Sequence, residues 1–63
     1  MKLDLHGVKH EEVEKLLEDF ILLNEPPFRI ITGNSIRMKE IVTEVLDKHG
    51  FEHSDFGPSI IAG

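Results

Sequence analysis

The chain has no cysteine, no tryptophan and no tyrosine among its 63 residues. Without cysteine there is no disulfide staple, no thiolate metal site and no sulfur nucleophile. Without tryptophan or tyrosine there is little on which bases could stack, since four phenylalanines are the whole aromatic complement. No apolar run reaches the about 18 residues of a membrane span. The opening residues are strand-like and carry Asp4, so no signal peptide is expected and the cytoplasm is the default location. Basic charge is also scarce: seven Lys and Arg stand against twelve Asp and Glu, for a net charge of −5. That argues against a broad phosphate-binding surface and leaves only a local cationic patch for any nucleic-acid contact. The length allows one domain, residues 1–63. A domain of this size buries only roughly 60% of the surface its unfolded chain exposes. Its core must come from Leu, Ile, Val and Phe, or from a partner chain.

What is present centres on Leu3-Asp4-Leu5-His6-Gly7. Apolar and polar residues alternate with a period of two, the pattern of a short half-buried strand. Leu3 and Leu5 would face a core, and Asp4 and His6 the opposite side. Gly7 can take positive φ and permits a tight exit.

From Val8 to about Asn24, the residues Val13, Leu16, Leu17, Phe20 and Ile21 recur at helical spacing. Acids crowd the first turns, where the helix dipole favours them. Pro26-Pro27 ends the helix. Phe28–Thr32 is β-rich and stops at Gly33, with Phe28, Ile30 and Thr32 on one face and Arg29 and Ile31 on the other. Asn34 and Ser35 are both good N-caps for a second helix running to about His49. Its buried stripe would be Met38, Ile41, Val42, Val45 and Leu46. Gly50 is the expected C′ residue, with Phe51 packing behind it. Phe51–Phe56 reads as a strand, Gly57-Pro58 as a turn and Ser59–Ala62 as a last strand.

The order is therefore β-α-β-α-β-β, an α/β two-layer sandwich. Strand-helix-strand crossovers make parallel neighbours. If both crossovers step the same way, both helices cover one face and the other stays open. The carboxyl ends of the first two strands then lie side by side, where open α/β sheets bind ligands.

Two constellations meet at those ends. The first is Asp4, His6 and Gly7. An imidazole exchanges protons near neutrality, and a neighbouring carboxylate can orient it. Two apart on a strand, their Cβ atoms would be about 6.5–7 Å apart, able to share a ligand or a water. A polar pair on a wet sheet face has the same pattern. The second is Thr32, Gly33, Asn34 and Ser35, opening a helix. Free N–H groups there favour an anion such as phosphate. Arg37 and Lys39 follow in the first turn, where the dipole disfavours cations and a ligand would favour them. A plain capping turn with two surface bases would look alike. His10, His49 and His53 lack metal-ligand spacing, so no metal site is assigned.

These residues carry a resemblance. Leu3-Asp4-Leu5-His6-Gly7, an amphipathic helix, then Ile31-Thr32-Gly33 opening a second helix, resembles the Smr (small MutS-related) domain. That family is marked by LDLHG and a downstream TGxG or HGxG. The first motif matches completely. The second matches at Thr32 and Gly33, with Ser35 in place of the last glycine. The resemblance spans essentially the whole chain in element order, though the chain is short for the family. It implies a mixed four-stranded sheet of order 1-2-4-3 with two helices on one face, similar to the C-terminal domain of translation initiation factor three. It implies nucleic-acid binding, and nicking of DNA or cleavage of RNA with Asp4 and His6 as catalytic residues. Gly7, Thr32, Gly33, Asn34, Ser35, Arg37 and Lys39 would hold the phosphate backbone. Asp4 would orient His6, or hold a water or a divalent cation such as Mg2+. The alternative is a non-catalytic module that binds nucleic acid, a ribosome or a protein through the open sheet face. A monomer or weak dimer is expected.

Overall fold

A computed structural model describes residues 1–63. The elements are β1 (Lys2–Asp4), α1 (His10–Leu23), β2 (Phe28–Ile31), α2 (Ile36–Lys48), β3 (His53–Phe56) and β4 (Ser59–Ala62). They form one four-stranded sheet of order β1-β2-β4-β3. β1 pairs parallel with β2, β2 antiparallel with β4, and β4 antiparallel with β3. The expected β-α-β-α-β-β order and the mixed sheet are both present.

Strand alternation decides what each face holds. Leu3 lies opposite Ile30, Ile30 opposite Ile60, and Phe28 opposite Ala62. These side chains point to one face and join Val13, Leu17 and Ile21 of α1 and Met38, Val42, Val45 and Leu46 of α2 in a single core. Both helices therefore cover that face. The other face carries Lys2, Asp4, Arg29, Ile31, Ser54, Phe56, Ser59 and Ile61, with no element over it.

Several sequence expectations need correction: β2 ends at Ile31 rather than Thr32, and β3 begins at His53 rather than Phe51. β1 ends at Asp4, so His6 lies in a turn beyond the strand. α1 begins at His10, two residues after Val8, because the main chain of Leu5–Val8 closes a turn first: Val8 N–H donates to Leu5 C=O at 3.0 Å. Leu16, one of the five apolar residues at helical spacing in α1, is 42% exposed. It lies on the flank of α1 away from α2, where no partner element reaches it.

The ends of α2 show why the helix stops where it does. Ser35 is the N-cap, its Oγ accepting from Met38 N–H at 3.1 Å. Gly50 adopts φ 78°, its N–H donates to Asp47 C=O, and Phe51 N–H donates to Leu46 C=O. That is a Schellman close, with Phe51 packed on the core. Loss of an N-cap typically costs about 1 kcal/mol. Ser35→Ala is expected to lower stability by that amount in urea titration, and Ser35→Asp to lower it far less.

A polar seam joins the two helices. Glu18 takes Lys48 Nζ at 3.1 Å and the His49 ring at 3.0 Å, and Glu14 takes Lys48 at 3.4 Å. The His49 hydrogen bond, then that of Lys48, holds the Glu18 carboxyl below its ordinary 4.5. Glu18 and then Glu14 hold Lys48 above its ordinary 10.5. A depressed carboxyl stabilises the fold above its unfolded pKa, and that contribution is lost as pH falls through the folded value. A raised ammonium stabilises below its unfolded pKa and is lost as pH rises through the folded value. Thermal melts are therefore expected to fall below about pH 4.5 and above about pH 10.5. Glu18→Gln should flatten the acid limb, and an unchanged acid limb would show that the seam contributes nothing. The seam is solvent-facing, so the effect is small and weakens with salt.

Candidate phosphate site at the ends of the first two strands

Both motifs emerge at the same edge of the sheet because Asp4 pairs with Ile31 in parallel register. Leu5 N–H donates to Ile31 C=O at 2.8 Å, extending the pairing one residue past β1. Leu5 is fully buried and anchors this end. The chain then turns over His6 and Gly7, with Gly7 at φ 83°. Positive φ at the third turn position is the type II requirement, and glycine meets it without strain.

Asp4 and His6 are linked, but not as two side chains. Asp4 Oδ1 accepts from the main-chain N–H of His6 at 2.9 Å. The expected shared strand face does not exist, because β1 has ended and the carboxylate folds forward to cap the turn. Asp-to-backbone bonding two residues on is a common alternative to strand pairing. Asp4 thus fixes the turn that carries the imidazole.

The imidazole lies against the second motif. A Cβ built on Gly33 would stand 3.4 Å from His6 Cδ2, and Gly33 has φ 66°. Glycine is required there for its backbone conformation, and a Cβ would come into contact with the ring. The two motifs, 27 positions apart in sequence, therefore do meet.

The second motif is organised differently from expectation. Thr32 N–H and Gly33 N–H both donate to Pro58 C=O, at 2.9 and 3.0 Å. Thr32 is buried, and its Oγ1 donates to Gly33 C=O at 2.8 Å. These groups bind the motif to the β3–β4 turn and are not free for an anion. The free donors lie further on. The main-chain N–H groups of Asn34, Ser35, Ile36 and Arg37 have no partner in the protein, while Met38 and Lys39 are satisfied by Ser35. The 13 residues of α2 place a positive dipole end behind them.

The two cations part ways. Arg37 is exposed and makes only a 3.6 Å contact with Glu40, so its guanidinium can swing to a ligand. Lys39 is committed elsewhere: its Nζ lies 3.1 and 3.2 Å from the two Asp55 oxygens, bracing α2 on β3. No group of three or more His, Asp or Glu side chains clusters to hold a metal ion. Pro58 is the participant that the sequence reading missed. Gly57-Pro58 reads only as a turn, and nothing local shows that its carbonyl reaches Thr32.

A scan against protein-family models, a search of curated proteins and a search of solved structures each found no match.

Proposed function

We propose that this is an Smr-like nucleic-acid-binding domain that cleaves phosphodiester bonds at the carboxyl ends of β1 and β2. The observation that carries the reading is the seat of the His6 imidazole against Gly33, beside four free N–H groups at the start of α2. A backbone phosphate would sit over Asn34–Arg37, held by main-chain donors, the helix dipole and Arg37. Ser35 keeps its hydroxyl on Met38 N–H, so its contribution is to the cap, with its proton available to the phosphate. His6 would carry the proton to the leaving oxygen or from the attacking one. Asp4 acts through the turn, as a positioning residue.

The 1-2-4-3 strand order supports the reading, since it is the order expected of an Smr domain and of the C-terminal domain of initiation factor three. The small donor set suits the acidic chain, because local main-chain dipoles need no basic surface.

A second reading has its own observation. Asp4 is spent on the turn, and the uncovered sheet face presents Lys2, Arg29 and a 61% exposed Phe56. That face would serve a non-catalytic binding module. Incubation with labelled RNA and duplex DNA, with and without Mg2+, separates the two. Product with any substrate supports the nuclease. Binding without product supports the module, and a log–log salt slope near zero would exclude phosphate contacts altogether.

A further inference from the structure

The two margins of the sheet are unlike each other. At the β3 margin, Asp55 pairs with Lys39, and the His53 ring lies 2.8 Å from Asp47. Those bonds hold α2 over β3, the other edge strand, with polar contacts and no exposed leucine beside it. The seam through Glu18 and Lys48 turns one flank of α1 towards α2. The opposite flank, with Leu16 42% and Leu23 82% exposed, therefore overhangs β1. Leu16 and Leu23 are seven residues apart and share one helical stripe.

β1 itself is an edge strand. Met1 C=O and Leu5 N–H bond to β2. In a parallel ladder, alternate residues turn their main-chain groups to the partner. The N–H and C=O groups of Lys2 and Asp4 therefore point outward, with no neighbour. A bare edge beside exposed leucines is a template for another strand.

The sequence of the edge says which strand. Lys2-Leu3-Asp4 laid antiparallel on a second copy of itself, with Leu3 opposite Leu3, puts each Lys2 opposite an Asp4. Both of those residues have outward main-chain groups, so each pair exchanges two ladder hydrogen bonds. Both side chains leave the strand on the open face, so each pair also brings an ammonium to the Asp4 carboxylate, whose Oδ1 stays on His6 N–H and whose second oxygen has no partner. Neither Lys2 nor Asp4 has an ion-pair partner within its own chain. The pairing is two-fold and closed, and yields one eight-stranded sheet.

We infer that the β1 margin is a self-association surface, on which two copies join antiparallel through Lys2-Leu3-Asp4 while Leu16 and Leu23 of α1 are covered by the partner's α1. Acids on both α1 helices oppose the contact, which makes it reversible and concentration-dependent.

Charge exchange tests it. Sedimentation equilibrium from micromolar to millimolar concentration should show twice the 7.2 kDa chain mass at the upper end. Lys2→Asp makes the edge uniformly acidic and Asp4→Lys makes it uniformly basic. Each alone should weaken the dimer about tenfold or more, and an equimolar mixture should recover it as a heterodimer. Leu23→Ser, at a solvent-facing position, should weaken it without unfolding the chain. Amide exchange at Lys2 and Asp4 of the unaltered protein should slow as concentration rises. A chain that stays at 7.2 kDa throughout, a Lys2→Asp variant that dimerises as well as the parent, or exchange rates independent of concentration would each overturn the inference.

Discussion

Phe28→Ala is expected to leave most of the chain unfolded at 25 °C. Phe28 is 1% exposed and is the largest side chain in the sealed core. Its ring meets Phe20 edge-on at 5.4 Å and 61°, and Phe51 at 5.4 Å and 82°. Those three rings come from α1, β2 and the segment after α2, so one residue ties together three distant parts of the chain. Truncating a buried Phe to Ala costs about 3–5 kcal/mol, as lost transfer energy and a residual cavity. Native stability runs at about 0.05–0.15 kcal/mol per residue, or roughly 3–9 kcal/mol for a chain this long. The loss is thus comparable with the whole. With no disulfide to limit the unfolded state, nothing else offsets it. Phe56→Ala, on the open face, should change stability by only about 0.5 kcal/mol. Urea titration followed by far-UV circular dichroism distinguishes the pair. A Phe28→Ala variant that melts cooperatively with less than about 2 kcal/mol lost would mean the core collapses around the gap.

Those same phenylalanines show what the sequence makes legible. Alternation in Phe28-Arg29-Ile30-Ile31-Thr32 assigns each side to its face; the register bears this out through Ile31, where β2 ends, and Thr32 just beyond it is buried as well. Gly50 and Phe51 announce the end of α2 because a Schellman close is local chemistry. Leu16 fails the same test for a reason that periodicity cannot see. The apolar arc of α1 is wider than the surface that covers it, and which flank is left out depends on where α2 packs. His6 fails for a reason that could have been seen. Asp followed two residues later by a glycine turn is an Asx signal as much as a strand alternation, and here the turn wins. The partners of Thr32, Gly33 and Lys39 were beyond reach. Pro58 and Asp55 lie 26 and 16 positions away, and only the sheet order brings them close. The meeting of the two motifs was legible because parallel neighbours end at the same edge. The distribution of donors within the meeting place was not.

That distribution shapes the expected result at His6. If the site cleaves phosphodiesters, His6→Ala should lower the single-turnover rate about 10²–10⁴-fold, the usual worth of positioned acid–base chemistry. Substrate binding should change little, because the main-chain donors of Asn34–Arg37 and the Arg37 guanidinium remain. Asp4 gives the sharper distinction. Its Oδ1 accepts a main-chain N–H and so needs no negative charge to hold the turn. Asp4→Asn keeps that acceptor and should retain most of the activity, whereas Asp4→Ala frees the turn and should lose much of it. A carboxylate acting directly on the imidazole, on a water or on a cation would instead make Asp4→Asn as damaging as Asp4→Ala. Cleavage by His6→Ala at the parent rate would remove the imidazole from the chemistry. Equal losses in Asp4→Asn and Asp4→Ala would move the carboxylate from a positioning role to a catalytic one. The pattern that matches the structure is a large loss at His6, a small one for Asp4→Asn, and an intermediate one for Asp4→Ala. That ordering follows from a carboxylate that grips the main chain of His6 and leaves its ring to the site.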